Sequence, residues 1–205
     1  MILMNLFNHQ QRILSFGFLI ALLLATWITP ALAQEREIKL RDGEVYTNLL
    51  SHFQFPPAIG TFERESFCTQ YDAKGLDTSV GYNDTSNVIA LTFYVYPVMS
   101  KPPNDNLEGH YAGCQSAVLR AHPEAVTISQ GKIELTPGGQ KQDGMYAKFK
   151  FTDVFAHKNQ PVRSELYLFM YQHNFILYRI TYPVGRQAAA ESAIKNFIDS
   201  LAWPQ

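Results

Sequence analysis

Residues 88–96, VIALTFYVY, constrain the fold more than any other part of the chain. In an extended strand, alternate side chains point to opposite faces. Ile89, Leu91, Phe93 and Val95 then form one wholly apolar face, while Val88, Ala90, Thr92, Tyr94 and Tyr96 form the other. A strand that is apolar on both sides belongs in the middle of a sheet with cover on each face. Pro97 stops it, because proline has no backbone N–H to give to a ladder.

The rest of the chain can supply that cover. Apolar residues make up 46% of the 205 and aromatics 13%, enough for a packed core and too much for a disordered chain. Lysine and arginine number 17 against 18 aspartates and glutamates. There is no basic excess to neutralise phosphates along a nucleic acid, so no nucleic-acid partner is expected.

Strand and helix periods alternate along the sequence. A three-strand meander is predicted over 61–71, 76–82 and 88–96, with turn chemistry at Asp72-Ala73-Lys74-Gly75 and at 83–87. The mixed polarity of 61–71 suits an edge strand. A helix is predicted over 106–122, where Leu107, Tyr111, Cys114, Val118 and Ala121 recur on one face. Asp105 and Glu108 stand at capping-box spacing, and Pro123 ends the helix. Four more strands follow at 126–135, 144–155, 162–172 and 175–182, with His173-Asn174 as a tight turn. In the second of these, Met145, Ala147, Phe149 and Phe151 oppose Tyr146, Lys148, Lys150 and Thr152, giving a core face and a wet or thinly covered one. A last helix, 186–201, carries the stripe Ala190, Ile194, Phe197, Ile198 and Leu201, with Glu191 and Lys195 as an i,i+4 pair on its other side. Residues 35–57 read less clearly: Asp42-Gly43 suggests a hairpin, and 48–55 a helical turn. The expected fold is α+β, a mostly antiparallel sheet of about six to seven strands covered by two main helices.

The N-terminus reads as an address. Residues 13–25 are an unbroken apolar run behind Arg12 and the terminal amine, and Pro30 and Ala31-Leu32-Ala33 follow. This is the layout of a secretory signal peptide over residues 1–33, cleaved between Ala33 and Gln34. The run is short for a membrane span, which needs about 20 residues. An uncleaved anchor is the alternative. Cleavage leaves a single domain, 34–205, in the periplasm or outside the cell, with no transmembrane segment.

The stretches VIALTFYVYP, SELYLFMYQHNFILYRITYP and AIKNFIDSLAWP resemble PsbP-like proteins. That resemblance implies an α/β/α sandwich over most of 61–205. It carries no site residues, and it implies an accessory, assembly or binding role by analogy of fold. Residues 35–60 match nothing in it.

Cys68 and Cys114 are the two cysteines. In an oxidising compartment they are a disulfide candidate that would close about 47 residues and stabilise by about 4 kcal/mol. Because Cys114 lies on the apolar helix face, a buried free thiol is the other reading. His110 and Cys114 are at i,i+4, but no second pair completes a metal site, and no metal or other cofactor is implied. A Cys68–His110 pair has no local signature for nucleophilic catalysis. The motifs G-x-S-x-G, S-x-x-K and H-E-x-x-H are absent. Strand tyrosines are mostly structural, but Tyr94, Tyr96, Tyr178 and Tyr182 would make a binding surface if left uncovered. The leading expectation is thus an exported, non-catalytic accessory or binding protein whose partner is an envelope protein. A carrier of a small apolar ligand or lipid is the first alternative, and a hydrolase assembled from scattered polar residues is the second.

Overall fold

A computed structural model describes residues 35–98 and 106–204. The expected signal peptide, its expected cleavage point between Ala33 and Gln34, and Asp105 lie outside these residues. Strands β1 (Arg36–Lys39), β2 (Tyr46–Thr47), β3 (Gln54–Phe55), β4 (Ala58–Ile59), β5 (Phe62–Gln70), β6 (Thr78–Asp84) and β7 (Ile89–Pro97) lead to helix α1 (Leu107–Ala121). Strands β8 (Val126–Leu135), β9 (Gln142–Phe155), β10 (Lys158–Tyr171) and β11 (Asn174–Pro183) follow, and helix α2 (Gln187–Ser200) closes the fold.

Among the described residues, the main sheet has nine strands in the order β1-β5-β6-β7-β11-β10-β9-β8, with β4 also paired to β5. All of these pairs are antiparallel. The α+β reading holds, but the strand count exceeds six to seven. The extra strands, β1 and β4, are four and two residues long, too short to show a period. Both pair with the outer side of β5, so residues 61–71 are not at the edge. Asp42-Gly43 does not turn a hairpin, because β1 pairs with β5 rather than with β2. The helical turn expected within 48–55 is confined to 48–52, where His52 N donates to Asn48 O at 2.8 Å; Gln54 and Phe55 form β3, which pairs with β2 as a separate hairpin.

The central strand behaves as its pattern requires. The β7 residues Ile89, Leu91, Phe93 and Val95 join one core with Val80, Tyr178, Tyr182, Ile194 and Phe197. Tyr94 joins the other core with Cys114, Val118, Phe149, Leu168 and Leu177. Helix α2 therefore covers one face and α1 the opposite one. Phe197 wedges the first layer, meeting the Phe62 and Tyr82 rings edge-on, each at 5.0 Å. Beyond α2, the buried Trp203 donates from Nε1 to the Tyr178 hydroxyl at 3.1 Å and tethers the tail to β11.

Local chemistry sets the boundaries. Helix α1 is capped by Asn106, whose Oδ1 accepts from Gly109 N at 2.7 Å; the cap is Asn106 rather than the expected Asp105. The β9–β10 and β10–β11 turns place Ala156-His157 and Gln172-His173 at positive φ, as two-residue hairpins of right-handed twist require. The second turn thus uses Gln172-His173, and Asn174 already belongs to β11. On α2, Lys195 pairs with Asp199, and Glu191 accepts from Gln187, so the expected Glu191–Lys195 pair gives way to two others.

Candidate functional site

The four strand tyrosines do not share a surface. Tyr178 and Tyr182 lie on the α2 face and are fully buried, as core residues beneath α2. Tyr94 and Tyr96 lie on the α1 face, where Tyr94 is 9% exposed and stacks on Tyr71 at 6.5 Å. Neighbouring residues on a strand alternate faces, and the register sets Tyr178 beside Phe93 rather than Tyr94. The expected patch is thereby divided between two layers.

The same geometry separates the cysteines. Cys68 on β5 is buried on the α2 face, and Cys114 on α1 is buried against the other. Both are free thiols, so the buried-thiol reading replaces the disulfide. The sheet stands between Cys68 and His110, which removes the Cys68–His110 pair. Burial raises both thiols above their ordinary value, which keeps them protonated and poor nucleophiles.

His110 and Cys114, one turn apart on α1, meet at Tyr96. The Tyr96 hydroxyl is 2.7 Å from His110 Nε2, and the Cys114 thiol contacts the same oxygen. The imidazole stacks on Phe175 at 3.9 Å and 10°. Burial drives Tyr96 well above the ordinary phenol range, with Cys114 next in effect. This cluster locks α1 to β7. Among the described residues, no group of three acidic, histidine or cysteine side chains is placed to hold a metal ion.

A second polar cluster was not anticipated from the sequence. Glu165 on β10 is 1% exposed in the α2 layer. Its carboxylate accepts from the Tyr167 and Tyr182 hydroxyls, each at 2.5 Å, and lies 3.2 Å from Lys148 Nζ on β9. A buried carboxylate needs such partners to repay its lost hydration. Burial comes first, and then the Glu165 charge and hydrogen bond, in raising both phenols. Three strands are pinned through one side chain. The sequence signal was an acid inside the apolar run SELYLFM, two residues before a tyrosine on the same face.

Two other features face water, at opposite ends of the strands. One is the tip of the β2–β3 hairpin. Asn48 is buried there, and its Oδ1 accepts from Leu50 N at 3.0 Å and Ser51 N at 2.9 Å. Its Nδ2 donates to Gly75 O at 3.0 Å and Thr78 Oγ1 at 3.1 Å. Phe53 and Phe55 anchor the base in the core, and Tyr46 stacks on Phe55. On this fixed frame Leu49 is 83% exposed and Leu50 49%. Thr78 marks the end of the sheet at which Arg36 of β1 pairs with Gln70, where the N-terminal chain enters. The other feature is an open cleft of about 570 Å³ at the far end, bordered by the β9–β10 hairpin, the end of β11 and the start of α2.

The aromatic strands that suggested a carrier are engaged with one another. Phe93 meets Tyr178 edge-on at 4.9 Å, and Trp203 meets Phe169 at 5.4 Å. Among the described residues, no helix is long and apolar enough to cross a membrane.

No protein-family model matches this chain, and no curated protein matches it. Among solved structures, it resembles cyanobacterial PsbP from Synechocystis at 12% identity and a TM-score of 0.46, over 88% of this chain and 99% of that one. This is the family whose resemblance was read from the sequence, and the likeness is one of fold. A Pseudomonas aeruginosa protein of unknown function matches at 10% identity and a TM-score of 0.46, over 80% of this chain and 99% of that one. The Saccharomyces cerevisiae Ran-binding protein Mog1p matches at 9% and 0.39, over 82% of this chain and 93% of that one.

Proposed function

We propose that this chain is an exported, non-catalytic accessory protein that docks on an envelope partner through the tip of the β2–β3 hairpin. One observation carries the reading: a buried asparagine with four hydrogen bonds holds two leucines in water. Exposing a leucine forgoes roughly 1.5–3 kcal/mol of burial, and fixing its backbone in advance lowers the entropy cost of docking. Export rests on the layout of residues 1–33. The non-catalytic part is supported by the fate of the reactive groups, since Glu165, Cys68, Cys114 and Tyr96 are each taken up in packing.

Affinity capture from the native envelope fraction tests this, comparing the wild-type chain with L49S/L50S. Burying two leucines is worth about 3 kcal/mol or more, so a true partner should fall at least tenfold in yield with the variant. An unchanged set of captured proteins refutes the docking role. An intact precursor in the cytosol, rather than a mature chain beginning at Gln34, refutes export.

A further inference from the structure

The cleft at the far end of the sheet has a charge pattern that neither the fold nor the docking tip uses. Lys150, Lys158 and Arg186 line it, and no acidic side chain does among the described residues. Three separate elements bring them together. Lys150 comes from the β9 face that carries Lys148, Lys158 opens β10 just past the Ala156-His157 turn, and Arg186 is the residue before α2. In a chain with one more acid than base, three exposed cations without a countercharge mark a place for an anion.

Two further observations point to the same ligand. Helix α2 runs on from a 3-10 turn at Val184–Arg186, whose Val184 carbonyl accepts from Gln187 N, and it has no side-chain cap and no acid in its first turn, so no carboxylate within the helix offsets the positive charge at this end. Arg163, opposite Lys150 in the β9–β10 register, does not line the cleft but sets a fourth cation beside it, with its Nε buried and without a hydrogen-bond partner. The rest of the lining is mainly apolar, with Val88, Pro161 and Pro183. Roughly 570 Å³ lies in the range of small-molecule sites.

We propose that this cleft binds a phosphomonoester bearing an apolar group. A carboxylate brings one negative charge to three cations, whereas a phosphomonoester carries about −1.5 to −2 at neutral pH and three acceptor oxygens. The group can come from a soluble alkyl phosphate or from a lipid headgroup such as phosphatidic acid. The site is independent of the hairpin tip and goes beyond the docking role.

Titration calorimetry of the full mature chain with hexyl phosphate tests it, with inorganic phosphate and hexanol as controls. Hexyl phosphate should bind saturably, at least tenfold more tightly than either control, and K158E/R186E should weaken it at least tenfold. Both side chains are exposed, and the single variants K158E and R186E, checked by thermal unfolding, secure the result if the double variant folds poorly. A parallel arm measures binding to phosphatidylcholine vesicles with and without phosphatidic acid. Binding only to phosphatidic acid vesicles, lost in K158E/R186E, supports the same site with a membrane source. Equal affinity of variant and wild type, equal binding of hexanol, or no response in either arm overturns the proposal.

Discussion

Asp77 makes the stability of this fold depend on pH in a direction opposite to that of most carboxylates. It sits just before β6, and its carbonyl accepts from Tyr71 N at 2.8 Å across the β5–β6 turn. Its half-buried carboxyl is pushed up from 3.8 to about 7, first by burial and then by the charge of Asp72. In the unfolded chain Asp77 ionises near pH 4, whereas in the folded one it keeps its proton until near 7. Folding then takes up a proton across that window. Stability falls as pH rises from about 4 to 7 and is flat above it, as far as this group is concerned. The gap of about three units, at about 1.4 kcal/mol each, gives roughly 4 kcal/mol, and solvent reaching a half-buried group lowers this toward 2. Asp77→Asn keeps the shape and removes the ionisation. It should stabilise the chain by roughly 2–4 kcal/mol at pH 8 and by only about half a kcal/mol at pH 4. Urea unfolding of both proteins at the two pH values measures this through the midpoints, with the slope unchanged. A variant equally or less stable at pH 8, or the same difference at both pH values, would show that Asp77 is not held protonated.

Glu165→Ala leaves two buried hydroxyls and the Lys148 ammonium without their acceptor and should cost about 3–5 kcal/mol, read by chemical unfolding; Glu165→Gln, which keeps one acceptor oxygen, should cost less. A thiol reagent should find two reactive groups in the denatured, unreduced protein and none in the folded one, and finding none after denaturation would restore the disulfide. Asn48→Ala removes four hydrogen bonds and should lower stability by about 2–4 kcal/mol while reducing envelope capture. Unchanged capture with that variant would separate tip geometry from docking.

The long strands and both helices were legible because each repeats its period several times. Strand β8 spans the predicted residues 126–135, and α1 differs from its prediction by one residue at each end. Residues 40–60 were not legible, because β2, β3 and β4 are two residues each and exist through tertiary pairing. The sites failed for a related reason. Alternation shows that Cys68 and Thr69 face opposite ways, but not which face α1 will cover. Only the register, with Cys68 opposite Val80 and Val80 opposite Phe93, sets the two thiols apart. Lys148 and Lys150 were visible as one polar face of β9. That one would partner a buried glutamate, and the other join Lys158 and Arg186, depends on the hairpin and on the entry to α2.

The placement of the two open features follows from how the rest of the sheet is closed. Helices α1 and α2 occupy opposite faces of the central strands. The outer edge of β8 is interrupted by a bulge between Thr127 and Ser129 and carries exposed Lys132 and Glu134, devices that discourage pairing with another strand. The opposite edge is broken into two short strands, the four residues of β1, with Arg36, Glu37 and Lys39 among them, and the two of β4. Faces and edges are thus committed, and the strand ends remain for recognition. Leu49 and Leu50 stand at the Thr78 end of β6, and Val88 in the cleft stands just past its Asp84 end. Residues this far apart, with no shared partner, add independently in energy. L49S/L50S should therefore leave the affinity for hexyl phosphate unchanged, and K158E/R186E should leave envelope capture unchanged. Loss of both functions in either variant would mean that the two ends are coupled through the sheet, against the separation argued from its register.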